Sequence, residues 1–367
     1  MRAPNPCLSS SSNNQTVKRR APGLGPARRE IEKSKMSTGD VALNGQSWRR
    51  LQFFFDTKLQ VRLESLIVLA ILCIAMTILS PFFLSLSNFL NILLATSTIG
   101  VLAIGATLIL SSAGLDLSLG SVMGLSGVVG AYLVVEAGYP WPMAIAGCLA
   151  AGAMAGFVNG ELITRTRIPA FIVTLGMLGV ARGIALIIPN GRAIYGLPDP
   201  VICLGQGRPL SIPMPVIVFI AVAVIVHYFL AYTRFGKHTL AMGDNEAAAR
   251  ATGIPVERLR RKLYTISGLM AGIAGLLFMA RVNAGDPTAG VNYELTAITA
   301  AIIGGTSLFG GKGSILGTMV GALIMGVLQN GLNLLAVQSY YQQIAIGAVL
   351  IIAVYIDQFQ TSQEKKL

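Results

Sequence analysis

AMGDNEAAARATGIPVERLRRK, Ala241–Lys262, is a polar and basic island in an otherwise oily chain. Pro215 to Ala231 before it is nearly free of charge, and Leu263 to Ala280 after it carries none. A polar segment of this size between two membrane-length runs lies outside the bilayer, because its charges are costly to place in hydrocarbon. Asn245 to Thr252 reads as a short helix. Asp244 or Asn245 can accept the free amide hydrogens at its start, and Gly253 supplies a left-handed residue at its end. Pro255 suits the first turn of a second helix, Val256 to Lys262. A membrane protein that carries a compact alanine-faced helix on a loop presents a surface to a partner.

Bulk composition agrees on class. Of 367 residues, 53% are hydrophobic and 12% charged, about half the charged share of an average soluble domain. Forty-one glycines with few aromatics suit closely packed membrane helices, where small residues let backbones approach. The net charge of +12 does not signal nucleic acid, because the cations sit between spans rather than on one face. Cys7, Cys73, Cys148 and Cys203 show no paired spacing and read as small hydrophobes. His227 and His238 are too few for a usual metal site.

A span needs about 20 mostly apolar residues. Ten candidates follow along the chain: 63–81, 88–111, 116–136, 141–162, 168–188, 213–232, 263–280, 294–309, 315–335 and 340–357. The eighth is short enough to enter the membrane only partly. The basic, Ser- and Pro-rich tail over 1–55 has no apolar period and is expected to be disordered. It lacks the apolar core of a signal peptide, and Met36 offers an internal start. With this tail inside, 24 of the 28 Lys and Arg residues fall on the cytoplasmic side. That bias predicts both termini in the cytoplasm. Arg192, Arg208 and Arg281 remain on the outer side, and Arg182 falls within the fifth span.

A faint internal repeat accompanies this pattern. A shift of 171 positions carries Ala113-Gly114 onto Ala284-Gly285 and Asn159-Gly160 onto Asn330-Gly331. It moves the chain by an odd number of spans, so the halves would run in opposite senses, as in transporters.

Three further features have plain readings. GGTSLFGGKGS, Gly304–Ser314, fails as a phosphate loop: Thr306 stands where a glycine is required, and Gly313 follows Lys312. It reads as a tight glycine turn. In AGLDLSLGS, Ala113–Ser121, Asp116 at the cytoplasmic entrance of the third span caps the following helix or acts as a gate. Gly114 suits a broken or re-entrant backbone there. Glu294, at the outer start of the eighth span, admits the same two readings. Asn91, Asn159, Asn330 and Asn333 lie in apolar spans, where an asparagine either bonds a neighbouring helix or meets a polar cargo.

GLDLSLGS, NGELITRTRIPAFIVTLGM (Asn159–Met177), NGRAIYGL (Asn190–Leu197), GDNEAAARATGI (Gly243–Ile254), DPTAGVNYELTAITAAIIGGTSLFGGKGS (Asp286–Ser314) and QNGLNLL (Gln329–Leu335) together resemble the ribose-type ABC sugar permeases. The resemblance runs from about residue 60 to the C-terminus. It implies an all-α polytopic membrane protein with an inverted repeat, of the type II ABC importer kind, over 56–367. It also implies a non-enzymatic importer subunit in the bacterial inner membrane, with ATP and magnesium held by a partner ATPase and no cofactor on this chain. The implied partners are a second, identical permease subunit, the cytoplasmic ATPase and a periplasmic sugar-binding protein.

By the same resemblance, Gly243 to Ile254, within the loop 233–262, is a coupling helix seated in the ATPase. Ala247, Ala248 and Ala249 would allow close approach, with Asn245, Glu246 and Arg250 as polar contacts and Gly253 at its end. Arg192, Arg208 and Arg281 would face the binding protein, while Asn91, Asp116, Asn159, Asn330 and Asn333 are candidates for the path or gate. The cargo expected is a pentose or hexose. A branched-chain amino-acid permease and an ion-coupled carrier are the competing readings.

Overall fold

The computed structural model describes residues 63–166 and 168–364; the tail expected over 1–55 lies outside the described residues. Ten apolar helices answer the ten expected spans: α1 (Leu63–Leu79), α2 (Leu86–Ser111), α3 (Leu119–Val135), α4 (Pro142–Thr166) and α5 (Ala170–Ile187), then α7 (Met214–Tyr232), α10 (Val256–Val282), α11 (Tyr293–Ile303), α12 (Ile315–Leu334) and α13 (Ser339–Glu364). Seven of them are long and apolar enough to cross a membrane; α1, α3 and α11 are shorter. Between them lie strand β1 (Ile194–Tyr195), α6 (Asp199–Gln206), α8 (Arg234–Asp244), α9 (Glu246–Ala251) and strand β2 (Ala284–Gly285). The chain is a multi-pass membrane protein.

One boundary differs from expectation. The short helix predicted over Val256–Lys262 and the span over 263–280 are a single 27-residue helix, α10, roughly 40 Å long at 1.5 Å per residue. The change from polar to apolar side chains does not interrupt backbone hydrogen bonding, and neither Gly nor Pro occurs between Val256 and Ser267.

Among the seven long spans, α2 and α10 are the most buried. Glycine permits close contact: Gly152, Gly156 and Gly160 of α4 face Gly268, Gly272 and Arg261 of α10. Adding a Cβ at Gly152 would place it 2.7 Å from the backbone nitrogen of Gly272. Close backbone approach replaces the hydrophobic drive that lipid removes. Asn88 and Asn330 exchange side-chain amide bonds of 3.0 and 2.8 Å, tying α2 to α12. Thr107 and Thr318 join the same helices at 2.6 Å.

The repeat is visible as architecture. The 171-position shift carries α2 onto α10, α4 onto α12 and α5 onto α13, and it brings α3 over α11. The halves run in opposite senses. The end of α2 at Ser111 lies against Gly243 and Gly311, at the end of the bundle from which α10 departs. That end, carrying α8, α9 and the charged turns of α10, is called the basic end below.

Each half contains a broken helix. After α2, Ser112–Ser118 turns back into the bundle and α3 starts at Leu119. After α10, the chain turns back at β2 and α11 starts at Tyr293, eleven residues long or roughly 16 Å. The second break runs along α3: a Cβ at Gly124 would lie 2.7 Å from the carbonyl oxygen of Ala289, and one at Gly120 would collide with Gly290 and Glu294. The second break therefore packs against the first turns of α3, just past the first break, inside the bundle. Asp116 and Glu294, expected at opposite mouths, are both buried at 3% and 8% exposure.

At the end opposite the basic one, β1 pairs antiparallel with β2 through Ile194–Gly285 and Tyr195–Ala284. The segment 189–212, between the fifth and sixth expected spans, holds α6. Pro200 sits in its first turn, and Gly205 packs directly on Ala280 and Arg281.

Candidate functional site

The island folds as a helical projection. Asn245, in extended backbone, caps α9 by accepting the Ala248 amide hydrogen at 3.0 Å. Gly253 ends it at φ +84°, where the Gly253 and Ile254 amides bond back to Arg250 and Ala249. The expected alanine face divides: Ala249 is buried in the protein, whereas Ala247 and Ala248 are exposed. α8, which the sequence reading did not separate, carries the projection. Its Gly243 packs so closely on the carbonyl of Ser111 and on Gly311 that no side chain fits there.

Charge braces the projection. Glu246 accepts from Arg250 at 2.8 Å and from Arg260 of α10, and Arg250 also bonds Glu257. Partial burial raises the Glu246 carboxyl, but hydrogen bonds and charge from Arg250 and Arg260 outweigh it and hold the group below the usual carboxylate range. Arg261 reaches Glu161 on α4 at 3.2 Å. Between the projection, Ser112–Gly114 and the end of α4 lies a polar cavity of about 780 Å³, bordered by Gly243, Glu246, Arg250 and Tyr264.

The Gly304–Ser314 turn closes the same end. Gly305, Gly310 and Gly311 have positive φ, as a tight glycine turn requires. The Gly311 amide donates to the Ser111 carbonyl at 3.1 Å. The carboxylate of Asp357, which nothing in the sequence pattern singled out, accepts from the Ser307 hydroxyl and the Leu308 amide, both at 3.1 Å.

Farther in, the first break holds a buried polar relay. Asp116 Oδ1 accepts the Ser118 amide at 3.0 Å and its hydroxyl at 2.6 Å, while Ser267 of α10 donates to Oδ2 at 3.5 Å. Asn159 of α4 donates to the Ser118 hydroxyl oxygen at 3.0 Å, leaving its own Oδ1 buried without a hydrogen-bond partner among the described residues. Asp116 thus stabilises the turn before α3 and also links three elements. The second break is held by Arg182, which donates to the carbonyls of Pro287 and Ala289 at 2.6 and 2.8 Å.

The remaining candidates separate. Asn330 and Asn333 make interhelical bonds, the latter accepting from Gln342 at 2.8 Å, whereas Asn91 is exposed on α2. Arg192 and Arg208 are exposed at the end opposite the projection. Arg281 is half-buried there, with its guanidinium 5.4 Å from the Phe278 ring centre.

The chain is similar to known proteins. The profile of the family described as branched-chain amino acid transport system / permease component matches residues 88–354. The ribose import permease protein of Escherichia coli K12 is 43% identical over 299 residues, covering 80% of this chain and 92% of that protein. Its Bacillus subtilis 168 counterpart is 41% identical over 305 residues, 83% and 94% of the two chains. The D-allose transport system permease protein of Escherichia coli K12 is 38% identical over 291 residues, 79% and 89%. No solved structure matches the chain. The chain belongs to the branched-chain amino acid transport system / permease component family, in the branch that holds the ribose and allose permeases.

Proposed function

We propose that this chain is the membrane subunit of an ATP-driven importer that carries a monosaccharide, a pentose or hexose, across the bacterial inner membrane. The observation that carries the reading is the α9 projection: a short capped helix, braced by four charged side chains, whose Ala247 and Ala248 are exposed among the described residues. Small exposed side chains suit insertion into a groove, which fits a cytoplasmic ATPase that hydrolyses ATP and pushes on α9. The backbone contact of Gly243 with Ser111 and Gly311 gives that push a path to both halves of the bundle. A second, identical copy completes the pore, and a periplasmic binding protein docks over Arg192, Arg208 and Arg281. The relay of Asp116, Ser118 and Asn159 lies on the way from α9 to the bundle centre and acts as the gate.

Ala248→Arg tests this directly. Uptake and stimulated ATP hydrolysis by the reconstituted importer should both be lost at normal expression; survival of both removes α9 from coupling. Orientation is read separately. With Cys203 replaced, a cysteine at Pro200 should react with an impermeant thiol reagent on intact spheroplasts, and one at Gly253 should not. The family's description also names branched-chain amino acids, so the binding-protein panel includes leucine beside pentoses and hexoses. Uptake without ATP would instead support an ion-coupled carrier.

The charge bracing of α9 has a pH signature. Because the Glu246 carboxyl is lowered in the folded state, its contribution is complete above the unfolded value, about 4.3, and is lost as pH falls through the folded value. Coupling should therefore be insensitive to this group from neutral pH upward.

A further inference from the structure

A second cavity, of about 550 Å³, opens on the flank of the bundle between α4, α7 and α10 at the basic end. Its walls include Phe157, Val226 and Phe229, and Arg258, Arg261 and Lys262 form its rim. Phe157 and Phe229 are 46% and 49% exposed, on faces turned away from the core. Arg261 is engaged by Glu161. Arg258 and Lys262 are exposed and enter no ion pair among the described residues. The depth is marked by Tyr228 and Tyr232 at the end of α7, whose rings pack at 5.9 Å. Aromatic side chains of this kind collect at headgroup level.

The cavity thus presents apolar walls on the membrane side and two unpaired cations at the interface. A free phosphate would meet the cations and leave the aromatic walls uncovered. A zwitterionic lipid would cover the walls and bring its own cation against Arg258 and Lys262. We infer that this cavity is a binding site for one anionic phospholipid, with an acyl chain against Phe157, Val226 and Phe229 and the headgroup phosphate between Arg258 and Lys262. Basic pockets between membrane helices take such headgroups. The inference does not depend on which cargo is transported.

The test is native mass spectrometry of the purified full-length chain, titrated with phosphatidylglycerol or with phosphatidylcholine of the same acyl chains. Each cation at an anionic headgroup favours binding by about fivefold, so two should give roughly a twentyfold or greater preference for phosphatidylglycerol. Arg258→Gln with Lys262→Gln should erase the preference, and Arg258→Lys with Lys262→Arg should keep it. Val226→Phe, which fills the cavity with the cations intact, should weaken both lipids and serves if the glutamine pair folds poorly. Excess inorganic phosphate should not displace the lipid. The inference is overturned by equal binding of the two lipids in the wild type, by a preference that survives in the glutamine pair, or by displacement with inorganic phosphate.

Discussion

The two breaks in the helical bundle share a local design and differ in what surrounds it. In the first, Asp116 Oδ1 accepts the amide and hydroxyl of Ser118 at 3.0 and 2.6 Å; in the second, Asp286 Oδ1 accepts the amide and hydroxyl of Thr288 at 2.8 and 2.7 Å. An Asp followed two residues later by Ser or Thr closes a tight turn on its own backbone, so the same device redirects the chain twice. The first turn is sealed: Asp116 and Ser118 are 3% and 1% exposed, and Asn159 and Ser267 complete the cluster. The second is open, with Asp286 half-buried and Thr288 exposed, and Arg182 holds it from outside through the Pro287 and Ala289 carbonyls. Inverted symmetry therefore fixes the backbone path, while the polar chemistry is allotted separately to each end.

The largest effect is expected where the second break packs on α3. Gly120→Val would drive a side chain into the Gly290 backbone and Glu294, costing on the order of 4 kcal/mol or more because backbone cannot yield there. Loss of monodisperse protein in detergent is the expected result. Gly176→Val, on α5 with open space around the glycine, should leave folding intact. Equal damage at both positions would mean that the packing of the second break on α3 is unimportant. Arg182→Leu should come next, at about 3 kcal/mol for two charge-assisted bonds. Its signature is local: a cysteine at Thr288 should become more reactive while one at Ser112 does not. Uniform exposure of both breaks would contradict separate support.

How much of this was legible in sequence depends on which force set each feature. The ten spans could be read because hydrocarbon demands continuous apolar length. The α9 turn could be read because Asn245 and Gly253 act through their own backbones. The register of the repeat also showed, through Ala113-Gly114 and Ala284-Gly285. Depth did not show: Asp116 and Glu294 were placed at the mouths, since spacing says nothing about how far an extended segment re-enters. The Asn88–Asn330 pair, the Asp357 contact with the Gly304–Ser314 turn, and the grip of Arg182 join residues 242, 50 and 105 positions apart. No local pattern encodes such partners. α6, between the fifth and sixth expected spans, was not read as a helix because Pro198, Pro200 and Pro209 are turn residues, although Pro200 is compatible with a first helical turn.

The smallest effects should distinguish the two turns most sharply, because they alter the same atom in different surroundings. Asp116→Ala removes the acceptor for a buried amide and two hydroxyls, and an unmet buried donor is expensive, so about 2 kcal/mol is expected. Asp116→Asn keeps an acceptor and removes the titratable carboxyl. It should fold nearly as the wild type, with any loss then appearing in uptake rather than in melting temperature. Asp286→Ala strips the matching turn at the open end, where water can replace the lost acceptor, so about 0.5–1 kcal/mol is expected. Thermal unfolding of the three variants in one detergent supplies the comparison. Equal costs for Asp116→Ala and Asp286→Ala would show that burial does not separate the turns. A larger cost at Asp286 would place the critical support at the end that Arg182 holds.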